Sequence, residues 1–205
     1  MTYYHNLITQ KSWQVLQNFK KEYQFILIGG WAVYLYCQTL KSKDIDLVLA
    51  YDQLEKLKQK YPVEKNNRLK KYEVKIDQID IDIYLPFYSN PGLPAETLTN
   101  YQTTASGFTT LVKEILVVLK QHVLIIRYNS VKGRKDLLDL ISLFKLADFN
   151  WQKYHSVVKK YHLQSQNKQI INIFKTTYSL EEINLNQHQI SRLKKKIIPL
   201  LQADP

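Results

Sequence analysis

Cysteines and long apolar runs are what this 205-residue chain has least of. Its single cysteine, Cys37, cannot form an internal disulfide, which fits a reducing compartment. No window offers the roughly 18 uncharged apolar residues that a membrane span needs, and residues 1–14 do not form a basic-then-apolar leader. We therefore predict a cytoplasmic protein without a membrane partner. A hydrophobic content of 45% also predicts a folded chain rather than a disordered one.

Acidic residues are scarce as well. The chain has 29 Lys and Arg against 18 Asp and Glu, a formal net charge of +11. Residues 1–100 carry 13 basic and 11 acidic side chains, or +2, whereas residues 101–205 carry 16 and 7, or +9. A basic half is typical of proteins that attract a polyanion, because Lys and Arg release counterions from phosphates. The alternative interpretation is a surface that only keeps the protein soluble.

The segment over residues 25–50 organises the rest of the chain. Residues 25–28 form a short apolar run that must end at Gly29 and Gly30, so they predict a buried strand. Residues 31–38 follow without a helix breaker and predict a helix that starts at the glycines. A strand, a glycine turn and a helix together direct backbone N–H groups toward an anion beyond the turn.

Residues 70–85 change to a period of two. Apolar and charged side chains alternate on both sides of Asp77 and Gln78, a pattern that predicts a β-hairpin. Its second arm places Asp80 and Asp82 on the face opposite the isoleucines. Strand periodicity then fades, and the later segments predict helices. Their ranges are 109–126, 136–146, 151–161, 167–178 and 186–201, and residues 123–126 fit either the end of the first helix or a strand.

These patterns predict an α/β, or α+β, protein. A mixed-sheet core is expected over residues 1–105, and a basic helical C-terminal region over residues 106–205.

Asp44 and Asp46 lie two residues apart at a predicted strand, so both side chains leave one face. If Asp82 lies on a neighbouring strand, two unit charges about 5 Å apart repel by roughly 3 kcal/mol at an effective dielectric constant near 20. A divalent cation relieves that repulsion, and oxygen ligands without His or Cys favour Mg²⁺ or Mn²⁺ over Zn²⁺. Asp80 shares the face and remains a rival of Asp82. In the simpler alternative, the aspartates only pair with lysines at a polar strand end: Lys41, Lys43 or Lys75.

The order of these motifs resembles the minimal nucleotidyltransferases of the DNA polymerase β superfamily, especially the antibiotic nucleotidyltransferases and the abortive-infection toxins. Their pattern is G-[GS] at a helix start, D-x-[DE] on the next strand and a third acid on a later strand. GGWAVYLY, DID and IDIDIYLP supply these elements within residues 24–86. Gly30 stands where many members carry serine, which matches the Gly-Gly branch.

The resemblance implies a nucleotidyltransferase core that moves a nucleoside monophosphate from a nucleoside triphosphate (NTP) to an acceptor hydroxyl by a two-metal mechanism. NTP would be the substrate and Mg²⁺ or Mn²⁺ the cofactor. Asp44, Asp46 and Asp82 would be the catalytic and metal-binding residues. The backbones of Gly29 and Gly30 would bind the phosphates.

A second resemblance covers residues 120–144, KQHVLIIRYNSVKGRKDLLDLISLF. It is similar to the Lys…Arg…Lys-Asp-x-x-Asp segment that follows the catalytic core in small nucleotidyltransferases, where basic residues contact the triphosphate or the acceptor. It offers Asp136 or Asp139 as a later acid. With two residues that precede Asp44, the implied nucleotide-binding set is Ser42, Lys43, Lys120, Arg127, Lys132 and Lys135. The alternative is helix capping and i,i+4 pairing around Gly133.

The acceptor is the least determined part of the prediction. The basic second half favours RNA, including tRNA, and the toxin relatives imply an antitoxin-like protein as a candidate partner. One alternative keeps the fold without the chemistry, as a nucleic-acid-binding or partner-binding module. Another is an antibiotic-type enzyme with a small polyhydroxylated acceptor.

Overall fold

The computed structural model describes the backbone of residues 2–203 and the side chains of residues 6–203. The chain divides into two compact units between Val112 and Lys113. The boundary predicted from the sequence, between residues 105 and 106, lies seven residues earlier (112 against 105). The difference arises because a β-hairpin over residues 102–111 pairs within the first unit.

Strands and helices alternate in the first unit, and helices dominate the second. The helices are α1 (Thr2–Glu22), α2 (Gly29–Cys37), α3 (Tyr51–Lys58), α4 (Lys113–Arg127), α5 (Val131–Phe144), α6 (Trp151–Lys160), α7 (Gln164–Thr176) and α8 (Gln187–Gln202). The strands are β1 (Ile26–Ile28), β2 (Ile45–Val48), β3 (Val63–Asn66), β4 (Lys71–Ile76), β5 (Ile79–Tyr84), β6 (Gln102–Ala105) and β7 (Phe108–Leu111). Short 3₁₀ helices span Ala95–Tyr101 and Glu181–Ile183.

The strands form one mixed sheet in the order β3-β4-β5-β2-β1-β7-β6. β2 runs parallel to β5 and antiparallel to β1, while β1 runs parallel to β7. The pairs β3–β4, β4–β5 and β6–β7 are antiparallel. The sheet confirms the predicted mixed-sheet class. Its central parallel pair, β2 and β5, carries the acidic motifs.

The β4–β5 hairpin sets the register of the acidic face. Asp77 and Gln78 have φ values of 49° and 69°, the left-handed geometry of a type I′ turn that matches strand twist. Ile76 therefore pairs with Ile79, and three positions further Glu73 pairs with Asp82. The hairpin predicted over residues 70–85 is confirmed.

The opposite face of the same strands forms the core of the first unit. Its side chains on β2 and β5 are fully buried, namely Ile45, Leu47, Ile81 and Ile83. Trp31 on α2 is buried as well, and its Nε1 donates a hydrogen bond of 2.9 Å to Ser12 Oγ on α1. This bond satisfies the only polar atom of the indole and joins the two helices.

The hairpin β6–β7 contradicts one prediction. Sequence periodicity predicts a helix from residue 109, and that prediction is wrong because Phe108–Leu111 is a strand and α4 begins at Lys113. The turn between the strands uses Ser106 and Gly107, with φ values of 47° and 77°. Threonines fill much of these strands, and their β-branched side chains favour a pleated backbone while leaving little apolar alternation to detect.

The second unit is built on the apolar faces of α4 to α8. Phe144 stacks on Trp151 with ring centroids 5.2 Å apart. Tyr154 is fully buried, and its hydroxyl lies 2.6 Å from Asn167 Oδ1 and 2.7 Å from Gln121 Nε2. Burial raises the pKa of Tyr154 far above its usual range. The helices predicted beyond residue 136 are confirmed, with ends shifted by a few residues.

Across residues 2–203, the helices lack the combination of length and apolar character needed to traverse a bilayer.

Candidate active site

Gly29 is the first residue of α2 and lies directly against Asp46. Its φ of +68° is in the left-handed region, which glycine adopts without steric cost. A Cβ added to Gly29 would lie 2.0 Å from Asp46 Oδ2 and 2.5 Å from Asp46 Cγ. The carboxylate therefore fills the space that any other side chain at position 29 would occupy. The first of the two glycines is required both by the backbone and by the acid beside it.

Three aspartates lie on one face where β2 and β5 run in parallel. Asp46 and Asp82 are register partners, on neighbouring strands about 4.8 Å apart. Asp44 stands two residues before Asp46, immediately before β2, and its negative charge contributes to the raised pKa of Asp82. The structure thus places the three acids that the sequence motifs predict on one face of the sheet.

Two further charged residues, neither of them among the predicted site residues, border Asp82. Lys71 Nζ lies 2.6 Å from Asp82 Oδ2 and 2.8 Å from Glu73 Oε1. The exposed fractions of the Lys71, Asp82 and Glu73 side chains are 11%, 23% and 38%. The position of Glu73 could have been predicted from the hairpin, because a two-residue turn at positions 77 and 78 places residue 73 opposite residue 82.

The pKa values report the charge balance of this cluster. Burial raises the pKa of Asp82 above its usual value, Lys71 opposes the rise, and the carboxylates of Glu73 and Asp44 add to it. Burial alone would lower the pKa of Lys71, but its ion pairs with Asp82 and Glu73 raise it above the usual value. Lys71 therefore pairs with two carboxylates of this cluster and offsets part of their charge.

Asp80 shares a strand and a face with Asp82 but differs in its surroundings. Its side chain is 61% exposed and lies 3.1 Å from Lys75 Nζ, which is exposed too. Lys75, one of the three lysines that the simpler interpretation offered to Asp44 and Asp46, thus pairs with Asp80. Asp82, opposite Asp46 in the parallel ladder, is the better placed of the two rivals.

Carboxylate oxygens on adjacent strands fit the donor preference of Mg²⁺ or Mn²⁺. Asp44 and Asp46 would hold such an ion from the side of β2, and Asp82 from the side of β5. Within the part of the chain that the structure describes, no three ligating side chains already converge on one point. Asp82 Oδ2 instead accepts a hydrogen bond from Lys71.

No protein-family model matches the chain, and no curated protein matches it significantly. Solved structures, in contrast, match the chain significantly. A protein from H. pylori, provisionally assigned as a nucleotidyltransferase, aligns with a TM-score of 0.50 at 15% identity, over 96% of this chain and 92% of its own. ANT(2″)-Ia, solved with adenylyl-2″-tobramycin, aligns with a TM-score of 0.52 at 12% identity, over 78% of this chain and 99% of its own. This chain has the nucleotidyltransferase fold.

In the helical unit of this nucleotidyltransferase fold, two of the predicted nucleotide-binding residues, Lys120 and Arg127, belong to an ion-pair network. Lys120 Nζ lies 3.0 Å from Asp136 Oδ1 and 2.7 Å from Asp139 Oδ2, and all three residues are buried. Arg127 Nε lies 2.6 Å from Asp136 Oδ2. Burial alone would raise the pKa of Asp136, but Lys120 and Arg127 hold it below its usual value. The network connects α4 to α5.

The other members of the set differ in their exposure. Lys132 and Lys43 are exposed, Lys135 Nζ lies 3.9 Å from Asp139 Oδ2, and Ser42 is buried. Ser130 caps α5 by accepting a hydrogen bond of 2.9 Å from the Gly133 backbone N–H. The capping and the i,i+4 pair of the alternative interpretation are therefore both present, and nucleotide binding by this set stays a prediction.

Proposed function

We propose that this protein transfers a nucleoside monophosphate from an NTP to an acceptor hydroxyl and releases pyrophosphate. The observation that carries the proposal is the parallel pairing of Asp46 with Asp82 next to Gly29, on a nucleotidyltransferase fold. Two strands thereby supply cation ligands beside a helix N-terminus, and phosphoryl transfer requires both a cation and fixed donors to the phosphates.

Each residue has a distinct role in this proposal. The backbone N–H groups at Gly29 and Gly30 bind the β- and γ-phosphates. Two Mg²⁺ or Mn²⁺ ions, held by Asp44, Asp46 and Asp82, supply the positive charge that in-line transfer of a phosphoryl group needs. Asp82 accepts the proton of the acceptor hydroxyl.

RNA, including tRNA, is the acceptor that we propose. The charge of +9 over residues 101–205 supports a polyanionic acceptor. Lys43, Lys132 and Lys135 remain in the proposed set of phosphate contacts. An antitoxin-like partner rests on the resemblance alone.

Transfer of label from α-³²P-NTPs tests the proposal. The protein is incubated with each NTP and Mg²⁺, with tRNA, total RNA or tobramycin as acceptor. We expect label on RNA, lost at least about 100-fold in Asp46→Asn and retained in Asp80→Asn, which removes a charge from the same sheet face. Undiminished transfer by Asp46→Asn would contradict the proposal.

The same assay separates two other candidates. Lys71 already neutralises part of the acidic cluster, which favours a non-catalytic binding module. Such a module should bind RNA without transferring label to it, and the binding should not depend on Mg²⁺. The shared fold with ANT(2″)-Ia favours a small-molecule enzyme, which predicts label on tobramycin and not on RNA.

A further inference from the structure

Lys71 places a largely buried ammonium group inside the carboxylate cluster. It is the first residue of β4, and its Nζ bridges Asp82 Oδ2 at 2.6 Å and Glu73 Oε1 at 2.8 Å. These are lengths of charge-assisted hydrogen bonds. The ammonium therefore occupies an oxygen of the carboxylate that β5 would contribute to a divalent cation.

The two carboxylates that pair with Lys71 differ in exposure and in position, and this difference determines which of them Lys71 can leave when a metal ion binds. Asp82 is 23% exposed and pairs with Asp46 of β2 in the ladder, whereas Glu73 is 38% exposed and lies on β4, on the other side of β5 from Asp46. A buried ammonium without any partner would be costly. Because Glu73 also pairs with Lys71, the ammonium group can dissociate from Asp82 and still be ion-paired.

We propose that Lys71 is a resident cation that competes with the divalent metal for Asp82, and that Glu73 retains Lys71 when the metal binds. The inference rests on the proposed function, because the catalytic metal is the competitor. Without metal, Lys71 occupies Oδ2 of Asp82. When metal binds, Asp82 exchanges the ammonium for the divalent ion, and Lys71 keeps its bond to Glu73.

Binding of Mn²⁺ alone to the full chain, followed by the EPR signal of free Mn²⁺, tests the proposal. Lys71→Met removes the competing ammonium and should tighten Mn²⁺ binding about tenfold, equivalent to about 1.4 kcal/mol. Lys75→Met is the matched control, because it removes the same charge from the same strand and face, where the lysine pairs with Asp80. If the two variants change the Mn²⁺ affinity equally, the effect arises from net charge alone and the proposal is wrong.

Glu73→Gln provides an independent test with the opposite sign. Without Glu73, Lys71 has only Asp82 to bind, so Mn²⁺ binding should weaken by about threefold to tenfold. In the Lys71→Met background the same Glu73→Gln change should have little effect. If Glu73→Gln weakens Mn²⁺ binding equally in both backgrounds, Glu73 is itself a ligand and the proposal is wrong.

The design separates failure of the inference from failure of the function. If Mn²⁺ binding is unaffected by Asp46→Asn, the proposed active site is wrong. If binding depends on Asp46 but not on Lys71, the site stands and the competition is overturned. Thermal melting without metal verifies that each variant folds, and Lys71→Gln replaces Lys71→Met in both backgrounds if the methionine variant does not fold.

Discussion

Replacement of Gly29 by alanine should lower the rate of nucleotide transfer about 100-fold and also lower the stability of the protein. The new Cβ would lie 2.0 Å from Asp46 Oδ2, whereas ordinary contact begins at 3.4 Å. The carboxylate must therefore move by about 1.4 Å (3.4 minus 2.0), and misplacement of a reacting group by about 1 Å costs about 100-fold in rate. An alanine at φ of +68° also costs about 1–2 kcal/mol of folding free energy.

Gly107→Ala is the matched control for the backbone cost. Gly107 has φ of +77°, and its Cβ would meet only the flexible end of Lys20, at 3.3 Å from Nζ. The left-handed backbone should cost each variant about 1–2 kcal/mol of unfolding free energy, measured by urea denaturation, and Gly29→Ala should lose more because Asp46 must also move. Only Gly29→Ala should lose label transfer from α-³²P-NTP. If Gly29→Ala stays within about threefold of the wild-type rate, the close approach of Asp46 is not what positions the site.

Three predictions concern stability. Ser12→Ala should lower the free energy of unfolding by about 1–3 kcal/mol, because it leaves the buried Nε1 of Trp31 without its acceptor; an unchanged urea midpoint would contradict this. Lys120→Met should cost about 3–5 kcal/mol, because it leaves Asp139 buried without its 2.7 Å ion pair; a milder loss would mean that water reaches the network. The pKa of Asp136 is depressed, so its stabilisation is present above about pH 4 and lost as pH falls through the lower, folded-state pKa. The stability gap between the wild type and Asp136→Asn should therefore shrink from pH 7 to pH 3, and a constant gap would refute the assignment.

The acidic face was predictable because it depends on short patterns. Alternation around Asp77 and Gln78 sets the strand faces, and the pleat then puts Asp80 and Asp82 on one side. The parallel pairing of Asp46 with Asp82 needed the family resemblance, since a contact between residues 36 positions apart (82 minus 46) leaves no local signal. The same hairpin register brings Lys71 close to Asp82, but Lys71 belongs to none of the sequence motifs.

Other features depend on tertiary context. The β6–β7 hairpin lacks apolar alternation, so periodicity assigned Thr109 to the helix that begins only at Lys113. The charge of Lys120 suggests a phosphate contact when it is read from the sequence alone. Its burial between Asp136 and Asp139 follows from how α4 packs on α5, and no property of residues 113–127 by themselves specifies that packing.

Crystals of the protein soaked with Mn²⁺ and a non-hydrolysable NTP offer the most direct test of the proposed site. The account predicts an anomalous Mn²⁺ peak about 2.1 Å from carboxylate oxygens of Asp46 and Asp82, with the triphosphate at the N-terminus of α2. It also predicts that Lys71 Nζ has left Asp82 and remains on Glu73. Manganese bound elsewhere, with the triphosphate away from Gly29, would contradict the central claim.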